Sequence, residues 1–323
     1  MKDIINRLRG GLIPLVIIVV LALLPIIGAP PFWILFLFLF FIYLAMANMW
    51  NLLCGYSGLI SLCQPAFAGL AGYTIVVWAW QGLPIHLGIL IGAIVAAIFA
   101  LLISIPVFRL SGIYFAIGTM IVAEAMRYLF LLWRPIPGSI HGGGAGYILK
   151  KANTFSTAHV YWLALGIAVV SCLCMRIVLR SKLGLGLAAI RDNDRASASS
   201  GIHVFKLKLY SFLISAFITG AAGAIFYIYQ SYIEPNSAFS SKWTMSIILA
   251  TVMGGMSTEE GPIIGTAIVV FLHFTLAKYA GISLLIQGLL LIIIMLLVPH
   301  GIVGFLRKTR PYRFMLQFFT ARQ

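Results

Sequence analysis

FWILFLFLFFIYLAMANMWNLL, residues 32–53, runs for 22 positions without a charged side chain. A helix of about 20 predominantly apolar residues crosses a bilayer, so this stretch is long enough to span one by itself. Nine further apolar segments follow the same reading, at 12–28, 65–80, 84–108, 113–133, 159–179, 209–230, 244–256, 261–278 and 282–298. Over all 323 residues 62% are hydrophobic and 9% charged, against about 25% charged in soluble domains. These numbers exclude a soluble α/β enzyme. They predict an all-α polytopic membrane bundle of about ten transmembrane segments, organised as one membrane domain over residues 1–304. A basic, aromatic tail over 305–323 then carries Arg307, Lys308, Arg310 and Arg313 beside Tyr312, Phe314, Phe318 and Phe319, and is expected along the inner interface.

Charge gives this bundle a direction. With the N-terminus in the cytoplasm behind Lys2, Arg7 and Arg9, ten crossings return the C-terminus to the same side. Sixteen of the 22 Lys and Arg residues then lie inside, five outside, and Arg127 within a segment. The expectation is a multi-pass protein with both termini cytoplasmic. The net charge of +15 is read as this orientation signal against membrane lipid, not as a nucleic-acid surface. The first segment could be read as a cleaved signal peptide, but two prolines and a second apolar run follow directly, which favours a retained helix. Cys54, Cys63, Cys172 and Cys174 lie in apolar stretches without metal-ligand spacing and read as core residues; no metal site and no catalytic residue is expected.

Two places look broken. Residues 244–256 amount to 13 positions, about 20 Å of helix, too short for a hydrocarbon core of about 30 Å. The continuation GGMSTEEGPIIG (254–265) holds four glycines and a proline. In the first half GYSGLISLCQPAFAGLAGY (55–73) interrupts the apolar pattern in the same way. Paired interruptions predict unwound or re-entrant backbone lining a substrate path, with Ser57, Gly58, Ser61, Gln64, Gly254, Gly255 and Ser257 as candidate lining residues. Tight helix packing through the small residues is the competing reading.

Ionisable groups at membrane depth are few. Glu124 and Arg127 stand three residues apart on one helical face, which suits an internal ion pair, while Glu124 also qualifies as a substrate contact. His86, His159 and His273 lack partners at helical spacing and read as packing or interface residues. His141 falls in the outer loop SIHGGGAGY, a flexible gate or an ordinary surface loop.

The longest inner connection, LRSKLGLGLAAIRDNDRASASSGIHVFKLKL (179–209), is too polar to cross. Asp192 and Asp194 are expected to cap a short helix through Ala196, Ala198 and Ser200 that stops at Gly201, presenting a small-residue face to a cytosolic partner. A solvated connection whose basic residues set orientation is the alternative.

Four ordered stretches carry a resemblance: NLLCGYSGLISLCQPAFAGLAGY (51–73), RLSGIYFAIGTMIVAEAMR (109–127), LGLGLAAIRDNDRASASSGIHVFKLKLYSFLISAFITGAAGAIF (183–226) and GGMSTEEGPIIGTA (254–267). They resemble the signature segments of the branched-chain amino-acid ABC permeases, most of all the second, longer permease of the pair, over about 51–304. The resemblance implies that the connection 180–208 is a coupling element docking on an ATPase, through Ala188, Arg191, Asp192, Asp194, Arg195, Ala196, Ala198 and Gly201. It also implies a second homologous permease subunit, two ATP-binding subunits that hold ATP and Mg, an external substrate-binding protein, and a bacterial or archaeal cell (inner) membrane. No cofactor is expected in this chain. Ala198 and Ser199 stand where relatives usually carry an acidic residue before the coupling glycine, and HGGGAGY lacks the Thr and Asp that often accompany those glycines.

The sequence holds no G-x-x-x-x-G-K-[ST] stretch, which assigns ATP chemistry to a partner. The family also includes permeases for urea, short amides and other amino acids. A carrier or channel independent of ATPases would be expected to show a buried carboxylate relay, and Glu124 is the one acidic residue deep in a confident span.

Overall fold

The computed structural model describes residues 15–134, 143–149, 156–276, 280–297 and 301–308. Every one of the ten apolar segments contains helix. The first is α1, residues 15–23, followed by α2 (Pro31–Asn51), α3 (Gln64–Trp80), α4 (Ile85–Val107), α5 (Ile113–Leu132) and α6 (Thr157–Arg180). Two short helices, α7 (Lys182–Asp192) and α8 (Asp194–Ser199), precede α9 (Val204–Gln230), and then come α10 (Pro235–Ala238), α11 (Ser241–Gly254), α12 (Gly261–Leu276), α13 (Ala280–Leu297) and α14 (Gly301–Lys308). The chain is thus a polytopic helical membrane protein. Helix α14 runs straight through the boundary expected at 304; the rest of the tail, 309–323, lies outside the described residues, as do Lys2, Arg7, Arg9 and His141.

Among the described residues, five helices are long and apolar enough to cross a membrane: Pro31–Tyr56, Ile85–Val107, Ile113–Leu132, Thr157–Arg180 and Val204–Gln230. Helices α3, α11 and α12, with 17, 14 and 16 residues, are shorter. At 1.5 Å per residue α11 covers about 21 Å, so it reaches only part of the way across. That agrees with its reading as a broken segment.

With lipid on the outside, close packing is carried by small residues. α9 is the most enclosed of the long helices and crosses α3 and α4 where Ala68, Ala71, Ala93, Ala96 and Gly220 meet; a side chain at Gly223 would overlap the backbone of Ala68. Backbones that approach this closely gain dispersion contacts that lipid tails do not offer. Polar groups inside the bundle are tied down locally: Asn48 of α2 donates to Ser171 Oγ at 3.1 Å and to Cys172 Sγ at 3.2 Å on α6.

The two ends of the bundle differ. At one, Tyr73, Trp80, Phe130, Trp133 and Tyr147 form an aromatic layer, with Tyr73 stacked on Phe130 at 4.1 Å and Trp133 edge-on to Tyr147 at 5.5 Å. A two-stranded ribbon covers it, β1 (Tyr147–Ile148) antiparallel to β2 (Tyr232–Ile233). Such aromatics suit the level of lipid headgroups. At the other end lie α7 and α8, separated from the ribbon by the 24 residues of α6.

Candidate functional site

The two interrupted stretches come together at the α7 end. Helix α2 continues into one π-turn, Leu52–Tyr56, turns at Gly58 with φ of 71°, and stays non-helical until α3 starts at Gln64. Tertiary partners hold this non-helical backbone: Trp50 Nε1 donates to Ser61 O at 2.8 Å, and Leu62 N donates to Thr119 Oγ1 of α5 at 3.0 Å. In the second half α11 ends at Gly254, and the chain passes through Gly255 (φ 122°) and Ser257 (φ 61°) before α12 begins at Gly261.

Ser257 joins the two. Its Oγ donates to Gly55 O at 2.7 Å, and its N–H donates to Asn51 Oδ1 at 3.0 Å. Asn51 in turn donates through Nδ2 to Thr258 O at 2.9 Å. Gly55 has no room for a side chain here, since a Cβ would run into Asn51 Oδ1 and stand 2.8 Å from Ser257 N. The junction is the membrane requirement at work: backbone freed from a helix must find partners inside the protein.

Arg191, at the end of α7, closes the junction from outside. Its Nη1 donates to Gly55 O at 3.0 Å and to Ser257 Oγ at 3.2 Å, while Nε lies 3.5 Å from Asp192 Oδ1. One guanidinium therefore touches both interrupted segments, 136 and 66 residues away in sequence. Beside it is a cleft of about 300 Å³ lined by Ser57, Gly58, Arg109, Asp192, Asp194 and Lys208. Helix α8 sits on its rim, with Arg195, Ala196 and Ala198 exposed and Ser197 buried. Asn193, not Asp192 or Asp194, is the cap of α8: its Oδ1 accepts from Arg195 N at 3.0 Å and Ala196 N at 3.1 Å. Asp192 instead ends α7, and Asp194 is the first helical residue of α8, paired with Lys208. Gly201 takes the left-handed turn expected of it, with φ of 83°. Ala188 is half-buried on α7.

The eight residues expected along a substrate path do not form one surface. Ser57, Gly58, Gly254, Gly255 and Ser257 belong to the junction: Ser57 Oγ donates to Leu53 O, Gly58 lies against Arg191, and a side chain at Gly254 would overlap the Gly261 carbonyl. Packing and turn formation use these glycines. Ser61 and Gln64 are buried deeper in the bundle; Ser61 Oγ lies 3.1 Å from Cys63 Sγ, and the Gln64 amide has no hydrogen-bond partner among the described residues. Glu124 is elsewhere, its Oε2 accepting from Arg127 Nε at 2.7 Å on the wall of a separate cavity of about 410 Å³. The expected ion pair is present.

Asn51, Gly55 and Thr258 were not among the residues singled out from the sequence. Asn48 and Asn51, one turn apart in an otherwise apolar segment, carried the available signal, because a buried amide at membrane depth needs a specific partner. Nothing local announced Gly55 as an acceptor for Arg191.

Comparison with known proteins follows the same pattern of segments. A family model described as the branched-chain amino acid transport system / permease component matches residues 32–299. The high-affinity branched-chain amino acid transport system permease protein LivM of Escherichia coli (strain K12) is 28% identical over 296 residues, 84% of this chain and 69% of the relative. The probable branched-chain amino acid transport permease protein LivM of Methanocaldococcus jannaschii is 25% identical over 236 residues, 68% of this chain and 67% of the relative. The probable permease protein LivH of the same organism is 27% identical over 137 residues, 40% and 42% of the two chains. No solved structure gives a significant match. With the family model matching well over half of a multi-pass helical chain, this protein belongs to the branched-chain amino acid transport permease family.

Proposed function

We propose that the chain is one of two permease subunits of an ATP-driven importer, moving branched-chain or other amino acids delivered by an external binding protein. A homologous permease completes the pore. Two ATP-binding subunits, holding ATP and Mg, dock on the face made by α7, α8 and the adjacent cleft. The observation that carries this reading is Arg191, which hydrogen-bonds both interrupted segments from within the connection that the family resemblance makes the coupling element.

The mechanism follows from that contact. ATP brings the two ATPases together and shifts α7 and α8. Arg191 holds Gly55 O and Ser257 Oγ, so the shift reaches the ends of α2 and α11 at once, and the bundle changes which side it opens to. The side bearing α7, α8 and most of the Lys and Arg residues is the cytoplasm, with both termini on it.

The test is purification of the chain from a mild detergent extract of cells producing the whole system, followed by reconstitution. A second permease and an ATPase should copurify, and amino-acid uptake should require both ATP and the binding protein. Uptake that survives replacement of 195–201 by a scrambled polar sequence would count against the coupling role. Uptake that runs without ATP would count against the class of transporter.

A further inference from the structure

Glu124 is residue 12 of the 20 in α5, about 17 Å from its start, and Gln287 stands near the middle of α13. Between them lies the cavity of about 410 Å³, closed on a third side by Asn236 of α10 and by Lys242 and Met245 of α11. Three formal charges thus line one space that runs from membrane depth at Glu124 to the start of α11: two cations, Arg127 and Lys242, and one anion, Glu124. The Arg127 and Glu124 side chains keep 25% and 36% of their surface open. Charges so exposed at this depth do not face hydrocarbon; they face water, protein or cargo.

Their hydrogen bonds leave capacity over. Among the described residues Arg127 donates by Nε to Glu124 Oε2 and by Nη1 to Asn236 Oδ1 at 3.1 Å and packs over the Tyr128 ring, which does not exhaust the five N–H bonds of a guanidinium. Oε1 of Glu124 is not the atom engaged in that pair. Lys242 forms no ion pair among the described residues. The space therefore offers a carboxylate oxygen, an ammonium and free guanidinium donors, next to the apolar wall of Met245 and Leu249.

We propose that this cavity is a cargo station on the translocation path and that its chemistry is made for a zwitterion: the ammonium of an α-amino acid on Glu124, the carboxylate on Lys242 and Arg127, and an apolar side chain on Met245 and Leu249. The proposal rests on the importer reading and sharpens it. An uncharged cargo such as a short amide leaves Lys242 without a counterpart and brings no charge to the Glu124–Arg127 pair, so it is disfavoured in the same site. Arg127 has a second task, holding the Glu124 side chain in place before cargo arrives.

Labelling tests the station without transport. In a chain whose four native cysteines are replaced, Asn236→Cys in the assembled transporter should react with the water-soluble cation MTSET. Excess L-leucine should slow that reaction and isovaleramide should not. A thiol that fails to react, or that both compounds or neither compound protects, overturns the proposal. In proteoliposomes of the complete transporter, Lys242→Gln should lower leucine uptake about tenfold, the effect of losing one charge-assisted hydrogen bond. Glu124→Gln should do the same where it assembles. Because Lys242 is exposed and unpaired among the described residues, its variant separates cargo binding from folding, and a wild-type rate for it rejects the station. Should the unmodified complex show no ATP-dependent uptake, the importer reading fails, while the labelling result still decides on the cavity.

Discussion

Arg191 has two acceptors, Gly55 O and Ser257 Oγ, and the pair of bonds is the property to test. Arg191→Ala removes both and should leave an assembled complex that hydrolyses ATP yet takes up amino acid at least about tenfold more slowly, since two hydrogen bonds from a charged donor are lost. Arg191→Lys, with a single ammonium on a flexible stem, should recover part of the uptake. Equal loss of hydrolysis and uptake in both variants would instead mark Arg191 as structural. Asn51 makes a different prediction. It is fully buried and pairs with Ser257 N and Thr258 O, so Asn51→Ala leaves a buried donor and acceptor unmet, at about 1–3 kcal/mol. A clear fall in the thermal midpoint of the detergent-solubilised chain is expected; an unchanged midpoint refutes the junction as a stabilising feature. The sequence made Arg191, Ser257 and Glu124 visible because charge and small polar residues stand out against an apolar chain. It hid their partners because Gly55 acts through its carbonyl, which every residue has.

Among elements, the spanning helices were the most legible, since hydrophobic length alone marks them and lipid tolerates little else. The short ones were legible as short: α11 has 14 residues where the pattern gave 13. Helix α7 was not, because its Gly184 and Gly186 weaken the helical pattern, and both are packed tightly, Gly184 against the Leu179 carbonyl and Gly186 against Leu207. The cap of α8 was misassigned for a related reason. Three consecutive residues, Asp192, Asn193 and Asp194, are all good caps, and only the extended backbone of Asn193 (ψ 111°) decides among them. Asn193→Ala should therefore cost α8 about 1 kcal/mol of local stability. Amide exchange over 195–200 should speed up by several-fold in consequence while exchange in α9 stays as it was; equal protection in both proteins would show that the cap is dispensable.

For the whole molecule, the paths of the segments were easier to read than their depth. All ten apolar segments contain helix, yet five helices reach full spanning length and composition among the described residues; α3 starts and α11 ends at the junction, where neighbours satisfy the freed backbone. Sidedness still has a direct consequence. Helix α6 is the one spanning element between the ribbon strand β1 and the helices α7 and α8, and its 24 residues rise about 36 Å, more than the roughly 30 Å of hydrocarbon. Ile148, 66% exposed on β1, and Ser199, exposed on α8, must then face opposite compartments. On the orientation proposed from the excess of basic residues, Ser199 is expected on the cytoplasmic side. With the native cysteines replaced, Ile148→Cys should be labelled by a membrane-impermeant thiol reagent in right-side-out vesicles and Ser199→Cys in inverted vesicles alone. The reverse pattern would turn the protein over and remove α8 from reach of any cytosolic ATPase; labelling of both from one side would mean that α6 does not cross.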